Sequence, residues 1–522
     1  MTARDSGYLH PVFSCAESQA FEQNYFQGKE AEEWKAMNCA GAAVARQAAL
    51  DLQESLGSEP VRRLLVLVGK GHNGGDALIA TRHLLCSNPN ATAALVFPYG
   101  LGHLRPLVQR SLDQLQVACG KRLSYLSLRS GSQDTIDNQL IKFLGKRSHD
   151  LCLDGILGMQ FRPPLRTPAR ELLNWVNQHE DIKCRIAVDL PSGVGDDSDE
   201  SAFRTDFTYA TGIAKYPLFD SVNRKKVGRL RYLDIGFFNE RIQSPRSVLS
   251  SNTLAFRRKL RPAQSHKKRF GHVFLVGGSA TMPGAILMAT QAALKSGVGL
   301  VTSFVPESVV AEAAAKIPEA MWVGLPEIPE HGGLALEGIG LVRNHAEKAT
   351  GWIVGPGMGT HEETGALIEE VLGLSEAPVI LDADALRPQI VKRDWKERSC
   401  VITPHVGEFN RLVGRELNAA VTEFETIELS KENGCTLVLK GSPTLITGGE
   451  DAVYSCSGGP ILARGGSGDI LSGLVGGRIS IPNTDFETAI FESVSWQGAA
   501  ADAMAQAHGQ LAAKATDILS FL

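Results

Sequence analysis

The sequence predicts an α/β protein of two domains, each a largely parallel sheet joined by crossover helices. Three observations carry that expectation. Short apolar runs closed by glycine, proline or aspartate alternate with longer stretches of helical period, the pattern of strands buried on both faces. The alternation stops around residues 243–269, where Ser244, Pro245, Ser247, Ser250 and Ser251 give way to Arg257, Arg258, Lys259, Arg261, Lys267, Lys268 and Arg269, and then starts again. The chain has 522 residues, 43% hydrophobic and 21% charged, enough for two cores of ordinary size. The expected division is a first domain over residues 1–242, a linker over 243–260 and a second domain over 261–522.

In chain order, residues 31–52 set Trp34, Met37, Ala40, Val44 and Ala48 at helical spacing, a helix laid on a sheet. Strands are expected at 64–68, 93–97, 150–153 and 185–188, forming one doubly wound sheet, with a helix over 77–85 after the first glycine-rich loop. In the second half the expected strands are 272–276, 300–304, 352–354, 379–381, 401–403 and 436–439. The two halves share a class but no motif, which points to fusion of different domains rather than duplication.

Composition narrows the function. Lys plus Arg number 53 against 57 Asp plus Glu, a formal charge of -4, so no basic field draws nucleic acid or anionic lipid. Nine cysteines, an odd number without a C-x-x-C pair, argue against a disulfide framework and a zinc ribbon and lead to the expectation of a reducing, cytoplasmic location. Residues 1–6 carry no apolar signal core, and no run of 18 apolar residues occurs, so neither secretion nor a membrane span is expected.

In the first half, Gly69-Lys70-Gly71-His72-Asn73-Gly74-Gly75-Asp76 follows a strand directly. Glycines at a strand-to-helix turn let backbone N–H groups approach a phosphate. The spacing is neither the dinucleotide fingerprint nor a Walker loop. Two further strand ends, Asp154 with Gly155 and Gly158, and Asp189-Leu190-Pro191-Ser192-Gly193, would meet that loop at the carboxyl edge of an open sheet, where ligands bind. A carboxylate there is suited to acid–base work, and Asn, Asp and Ser oxygens suit a hard cation. Read singly, the loop is a tight turn and Asp189 a turn-capping residue.

The second half is denser in motifs. Ala463-Arg464-Gly465-Gly466-Ser467-Gly468-Asp469 leads into an apolar helical segment, an anion hole with an adjacent carboxylate, as phosphoryl transfer to an alcohol requires. Lys440-Gly441-Ser442-Pro443-Thr444, Thr403-Pro404-His405-Val406-Gly407-Glu408, Asp382-Ala383-Asp384-Ala385-Leu386 and Gly355-Pro356-Gly357-Met358-Gly359 each end a strand, and Gly277-Gly278-Ser279 leads on to Pro283-Gly284-Ala285. Alone, His405 reads as a loop histidine and Gly468 and Asp469 as helix-capping residues; five such strand ends together do not.

The first set resembles the epimerase domain of NAD(P)H-hydrate repair enzymes, with its N-N-G-G-D loop and its D-A-L-F-G-T-G-like and V-D-I-P-S-G strand ends. Here His72 replaces Asn, Gly155 replaces Ala, and Met159-Gln160 replace Thr-Gly. The resemblance implies a Rossmann-like domain in which Asn73, Asp154 and Ser192 bind potassium. It also implies that His72, Asn73, Gly74, Gly75, Asp76, Gly158, Met159, Gln160, Phe161, Arg162, Pro163, Pro164 and Asp189 line the hydrated nucleotide, with Asp189 the proton-transfer residue.

The second set, with Ser265-His266-Lys267 and the motifs above in order across about 240 residues, resembles the ribokinase-like ADP/ATP-dependent NAD(P)H-hydrate dehydratases. Lys268 stands where glycine is usual. That resemblance implies an α/β/α domain in which Ala285, Gly359 and His405 contact the hydrated nucleotide. Lys440, Gly441, Ser442, Pro443, Thr444 and Gly468 would hold the adenine nucleotide, and Asp469 would act at the reacting hydroxyl.

Together they imply a homo-oligomeric enzyme that epimerises R- and S-NADHX and NADPHX and dehydrates the S epimer with Mg²⁺, K⁺ and ADP, ATP being possible, giving AMP and phosphate. Two alternatives come from other classes: a small-molecule kinase using the same Asp469, and a first half that only binds a partner.

Overall fold

The computed structural model describes residues 7–57, 59–129, 134–238 and 242–522. They form two compact units. One comprises His10–Ile242 with Gln506–Gly509; the other comprises Gln243–Ala505 and Gln510–Leu522 together with Tyr8 and Leu9.

The strands of the first unit are β1 (Leu9–Phe13), β2 (Arg63–Val68), β3 (Thr92–Phe97), β4 (Leu123–Ser127), β5 (Leu151–Gly155), β6 (Arg185–Val188), β7 (Phe207–Thr211), β8 (Ala214–Lys215) and β9 (Arg229–Leu233). Seven make one parallel sheet in the order β4-β3-β2-β5-β6-β7-β9. Strand alternation shows why both faces are covered. Leu64, Val66 and Val68 enter a cluster with Val44, Ala48 and Leu78, while Leu65 and Leu67 enter another with Leu140, Leu172 and Val176. Each such leucine contributes about 1.5–3 kcal/mol by burial. The winding direction reverses between β2 and β5, so the loops after those two strands flank the crevice of the sheet.

In the second unit the strands are β10 (Arg246–Leu249), β11 (His272–Val276), β12 (Leu300–Pro306), β13 (Met321–Leu325), β14 (Gly351–Val354), β15 (Val379–Leu381), β16 (Cys400–Ile402), β17 (Thr436–Leu439), β18 (Thr444–Thr447) and β19 (Ala452–Ser455). Their order is β13-β12-β11-β14-β15-β16-β17-β18-β19-β10, parallel as far as β17, then antiparallel through β18 and β19. Here the reversal lies between β11 and β14. The helix Ser467–Ile479 lies against both the helix Pro283–Lys295 and the sheet. A Cβ on Gly473 would stand 2.2 Å from the Ala289 carbonyl oxygen, and one on Gly476 would stand 2.1 Å from Ile353.

The expected linker is corrected. Residues 243–260 carry β10, which pairs with β19, and the 3-10 helix Ser251–Arg258, whose buried Phe256 meets Trp496 edge-on at 5.4 Å. Its serine- and arginine-rich texture belongs to caps and a covered sheet edge: Ser250 accepts from the Asn252 amide, and Arg246 pairs with Glu423. Tyr8 also departs from the expected first domain, donating its hydroxyl hydrogen to Glu492 at 3.0 Å within the second unit. No helix among the described residues is long and apolar enough to cross a membrane.

Two buried ion pairs clamp the helix Glu30–Leu56 to β9: Arg231 to Asp51 at 2.6 Å and Arg229 to Glu54 at 2.7 Å, with the Tyr209 hydroxyl also donating to Asp51. Removing one partner leaves a buried charge uncompensated. Asp51→Ala is therefore expected to destabilise the first unit by about 3–5 kcal/mol, read as a lowered urea midpoint.

Candidate active sites

In the first unit the glycine-rich loop is shorter than expected. The helix begins at His72, with Gly71 as its N-cap, rather than at residue 77, so His72, Asn73, Gly74 and Gly75 form its first turn. Paired glycines suggest a loop, but here they serve close approach: a Cβ on Gly74 would stand 2.2 Å from the Gly69 carbonyl oxygen, and one on Gly75 would stand 2.7 Å from Met37 Sδ.

Asp76, a turn further on, lines one cavity with His72, Asn73, Met159 and Asp189. Its Oδ1 is buried without a hydrogen-bond partner. Burial, reinforced by Asp189 and Glu22, holds its pKa well above the usual range, against the pull of Lys215. Asp189 follows β6 in a left-handed conformation, φ 67°, which costs a non-glycine residue of order 1–3 kcal/mol. Instead of capping a turn, its Oδ1 accepts from the Thr211 amide at 3.3 Å and hydroxyl at 3.2 Å and from the buried Lys215 ammonium. His72 Nε2 lies 3.9 Å from Glu33, yet burial and Arg105 lower its pKa on balance.

Asn73, Asp154 and Ser192 also come together. The Asn73 amide donates to the Leu157 and Val188 carbonyls at 2.9 and 3.0 Å. Asp154, fully buried, accepts from the Ser192 hydroxyl and amide, both at 2.7 Å. Of the loop after β5, Met159 faces the cavity and Gly158 presses on Asn73, where a Cβ would stand 2.8 Å from the amide. Gln160 accepts from Arg105 at 3.3 Å, the Arg162 guanidinium turns back on the Phe161 carbonyl, and Pro163 and Pro164 continue the loop. The Phe161 side chain is buried in the core with Leu165 and Leu172, so it does not line the cavity.

In the second unit, successive strand ends converge on the start of the helix Ser467–Ile479. Asp382, after β15, accepts from Lys440, after β17, at 3.1 Å, and Glu408 lies 3.6 Å from the same ammonium. A Cβ on Gly468 would meet Lys440 Nζ at 3.1 Å. Burial, Asp382, Asp384 and Glu408 push the Asp469 pKa up to about 7, with Lys440 opposing. For Lys440, burial works to lower the pKa, and Asp382, Glu408 and Asp469 outweigh it and raise it. Ser467 N–H donates to the Arg464 carbonyl at 3.3 Å, so an anion hole here rests on its neighbours.

His405 caps the helix Val406–Val413, its Nδ1 accepting from the Gly407 amide at 3.0 Å while its own amide donates to Glu408. The ring is 56% exposed with Nε2 3.5 Å from Glu408. Gly359 donates its amide hydrogen to Asp384 at 2.8 Å, and Ala285, at the start of the helix Pro283–Lys295, sits against Gly357. Gly441, Ser442 and Pro443 form the turn from β17 into β18, closed by the Thr444 hydroxyl donating to the Gly441 carbonyl at 3.1 Å.

Sequence reasoning did not single out Glu22, Glu33 or Lys215, and it gave Asp382, Asp384 and Glu408 no role. Lys215 left a signal: it is the one charged residue between Tyr209 and Phe219.

Family models match both units: NAD(P)H-hydrate dehydratase over residues 273–522 and YjeF-related protein N-terminus over residues 35–216. The bifunctional NAD(P)H-hydrate repair enzyme Nnr of Moorella thermoacetica is 31% identical over 480 residues, spanning 88% of this chain and 87% of its own. This chain belongs to the bifunctional NAD(P)H-hydrate repair enzymes. The repair enzyme Nnr of Gloeobacter violaceus is likewise 31% identical, over 85% of both chains. Among solved structures, the ADP/ATP-dependent NAD(P)H-hydrate dehydratase of Bacillus subtilis, co-crystallised with ATP/Mg2+, is 29% identical over 50% of this repair enzyme and 91% of its own chain, with a TM-score of 0.44.

The donor set near Asp154 fits a hard monovalent cation. Burial pushes that carboxyl up to about 6 despite hydrogen bonds from Ser192 and Ile156, with no cationic side chain among the causes. A cation held by Asn73, Asp154 and Ser192 oxygens would relieve that charge. Among the described residues no three His, Cys, Asp or Glu side chains are gathered as a metal centre. Magnesium arrives on phosphates and needs only one or two carboxylates, and Asp382 stands at the helix start, its Oδ2 3.9 Å from a Cβ on Gly468.

Proposed function

We propose that the first unit interconverts the R and S epimers of NADHX and NADPHX and that the second dehydrates the S epimer with ADP, releasing AMP and phosphate. The observation that carries the reading is the convergence of Lys440 and Asp382 on the glycine-led helix start whose first turn holds Asp469. Hydration places a hydroxyl on the ring carbon next to nitrogen, and hydroxide leaves poorly.

Asp469 accepts the hydroxyl proton. The oxygen forms a bond to the terminal phosphorus of ADP as the bond to the AMP oxygen breaks. The helix-start amides around Gly468 and the Lys440 ammonium offset the charge that builds on the phosphoryl oxygens. Phosphate then departs with its bonding pair, the ring nitrogen supplies electrons, and loss of the neighbouring C–H proton restores the double bond. Magnesium, when bound, would add charge neutralisation, with Asp382 the residue to hold it, leaving Asp469 free to take the proton. Gly359, Ala285 and His405 orient the ring. In the first unit Asp189 is the proton-transfer group, and the Asn73, Asp154 and Ser192 oxygens hold potassium.

The test follows reduced-nicotinamide absorbance as the chain acts on mixed-epimer hydrated NADH with Mg²⁺ and ADP, ATP or no nucleotide. Nucleotide-dependent recovery beyond the S fraction, faster than spontaneous epimerisation, is expected. A stable phosphorylated product would instead identify a kinase.

A further inference from the structure

The cavity that holds Asp189 is lined by more carboxylates than its established partners can balance. Glu22, on the helix Cys15–Phe26, lines it together with Asp76, Glu33 and Asp189, and among its described lining residues Lys215 is the one lysine or arginine. Lys215 is bound to Asp189, with side-chain exposures of 1% and 6%. Glu33 faces His72, and Asp76, also lining the cavity, is only 7% exposed. Of the two half-buried carboxylates, Glu22, unlike Glu33, has no hydrogen-bond or ion-pair partner among the described residues.

We propose that Glu22 is a second proton-transfer group of this site, working with Asp189 on the hydroxyl-bearing ring carbon of the hydrated nicotinamide. The proposal rests on the epimerase reading of the first unit. Inversion at that carbon needs a proton delivered and a proton removed. Glu22, protonated, gives its proton to the ring hydroxyl as the C–O bond breaks with its pair going to oxygen, and the ring nitrogen's lone pair forms the C=N bond. Water then adds to the opposite face and loses a proton to Asp189. The carboxylate excess stabilises the cationic ring between the two steps.

Asp189, locked on Lys215, returns its proton through solvent, and half-buried Glu22 takes one up again from solvent. The ionisation suits the task. Burial pushes Glu22 up to about 7, Asp189 and Glu33 reinforcing the rise and Lys215 opposing it; Asp76 and His72, from the helix His72–Ser87, complete the set of groups that face it.

The test uses the full chain and R-enriched hydrated NADH without nucleotide, following epimer ratios by chiral chromatography, with S-epimer dehydration measured separately. Glu22→Gln is expected to lower the epimerisation kcat about 100-fold, to abolish its pH dependence near neutrality, and to leave S-epimer dehydration unchanged. Glu22→Asp is expected to recover most of the rate. Wild-type epimerisation by Glu22→Gln would overturn the proposal. So would equal losses in both variants with the pH profile retained, the mark of a structural role. A wild-type chain that does not accelerate epimer exchange while still dehydrating the S epimer would overturn the epimerase reading itself, and the proposal with it.

Discussion

Asp469→Asn is expected to lower nucleotide-dependent dehydration of the S epimer by about 10²–10⁴-fold, with epimer exchange in the first unit unaffected. The asparagine keeps the shape of the side chain at the helix start and removes only the capacity to accept the hydroxyl proton, so the loss falls on kcat. The pH profile of the unmodified chain carries the same information. The raised pKa means that Asp469 becomes protonated as pH falls through about 7, and a base must be ionised to work. The rate therefore drops about tenfold per pH unit below that point and levels off above it. Asp382→Asn takes away a neighbouring negative charge and is expected to move that limb to lower pH.

Asp189→Asn is expected to slow epimer exchange at least about 100-fold while S-epimer dehydration proceeds at its normal rate, so that recovery from a mixed preparation stops at the S fraction. Asparagine can still accept from the Thr211 amide and hydroxyl, which now bind Oδ1. It cannot answer the buried Lys215 charge. The variant also leaves Asp76 and Glu22 as the carboxylates acting on that ammonium. Epimer ratios over time, compared with the uncatalysed rate, decide the matter.

Much of this architecture was legible because a buried parallel strand writes itself as a plain apolar run. β6, β11, β15 and β17 fall at the expected residues. Three of the strands that escaped notice are ones whose surroundings break the run. β9 reads Arg-Leu-Arg-Tyr-Leu, and its arginines are tolerated only because Asp51 and Glu54 meet them from a helix some 175 to 180 residues earlier in the chain. β4, at the sheet edge, is half-exposed and carries serines. β10 lay hidden in a stretch whose serines and arginines resemble a linker.

At the sites, residues standing at strand ends in recognisable strings were found. Glu22 and Lys215 were not, since one lies mid-helix and the other beyond β7, and only the folded chain brings them to Asp189.

The glycine face of the helix Ser467–Ile479 has a bearing on how the second site responds to change. Because Gly473 and Gly476 allow the helix to touch the Ala289 backbone and Ile353, its position is fixed by hard contacts along its length, and its first turn is held like the fixed jaw of a vice. The turn at Gly441, Ser442 and Pro443, with Gly441 and Ser442 exposed and a single side-chain hydrogen bond closing it, is the less constrained jaw. On the proposed reading of the site, differences in nucleotide size would be absorbed on the turn side, while the spacing between the reacting phosphorus and Asp469 would stay constant. An alanine at Gly476 would meet Ile353, and the displacement would reappear at the far end of the same rigid rod as a misaligned reaction centre, turning a packing fault into a catalytic one.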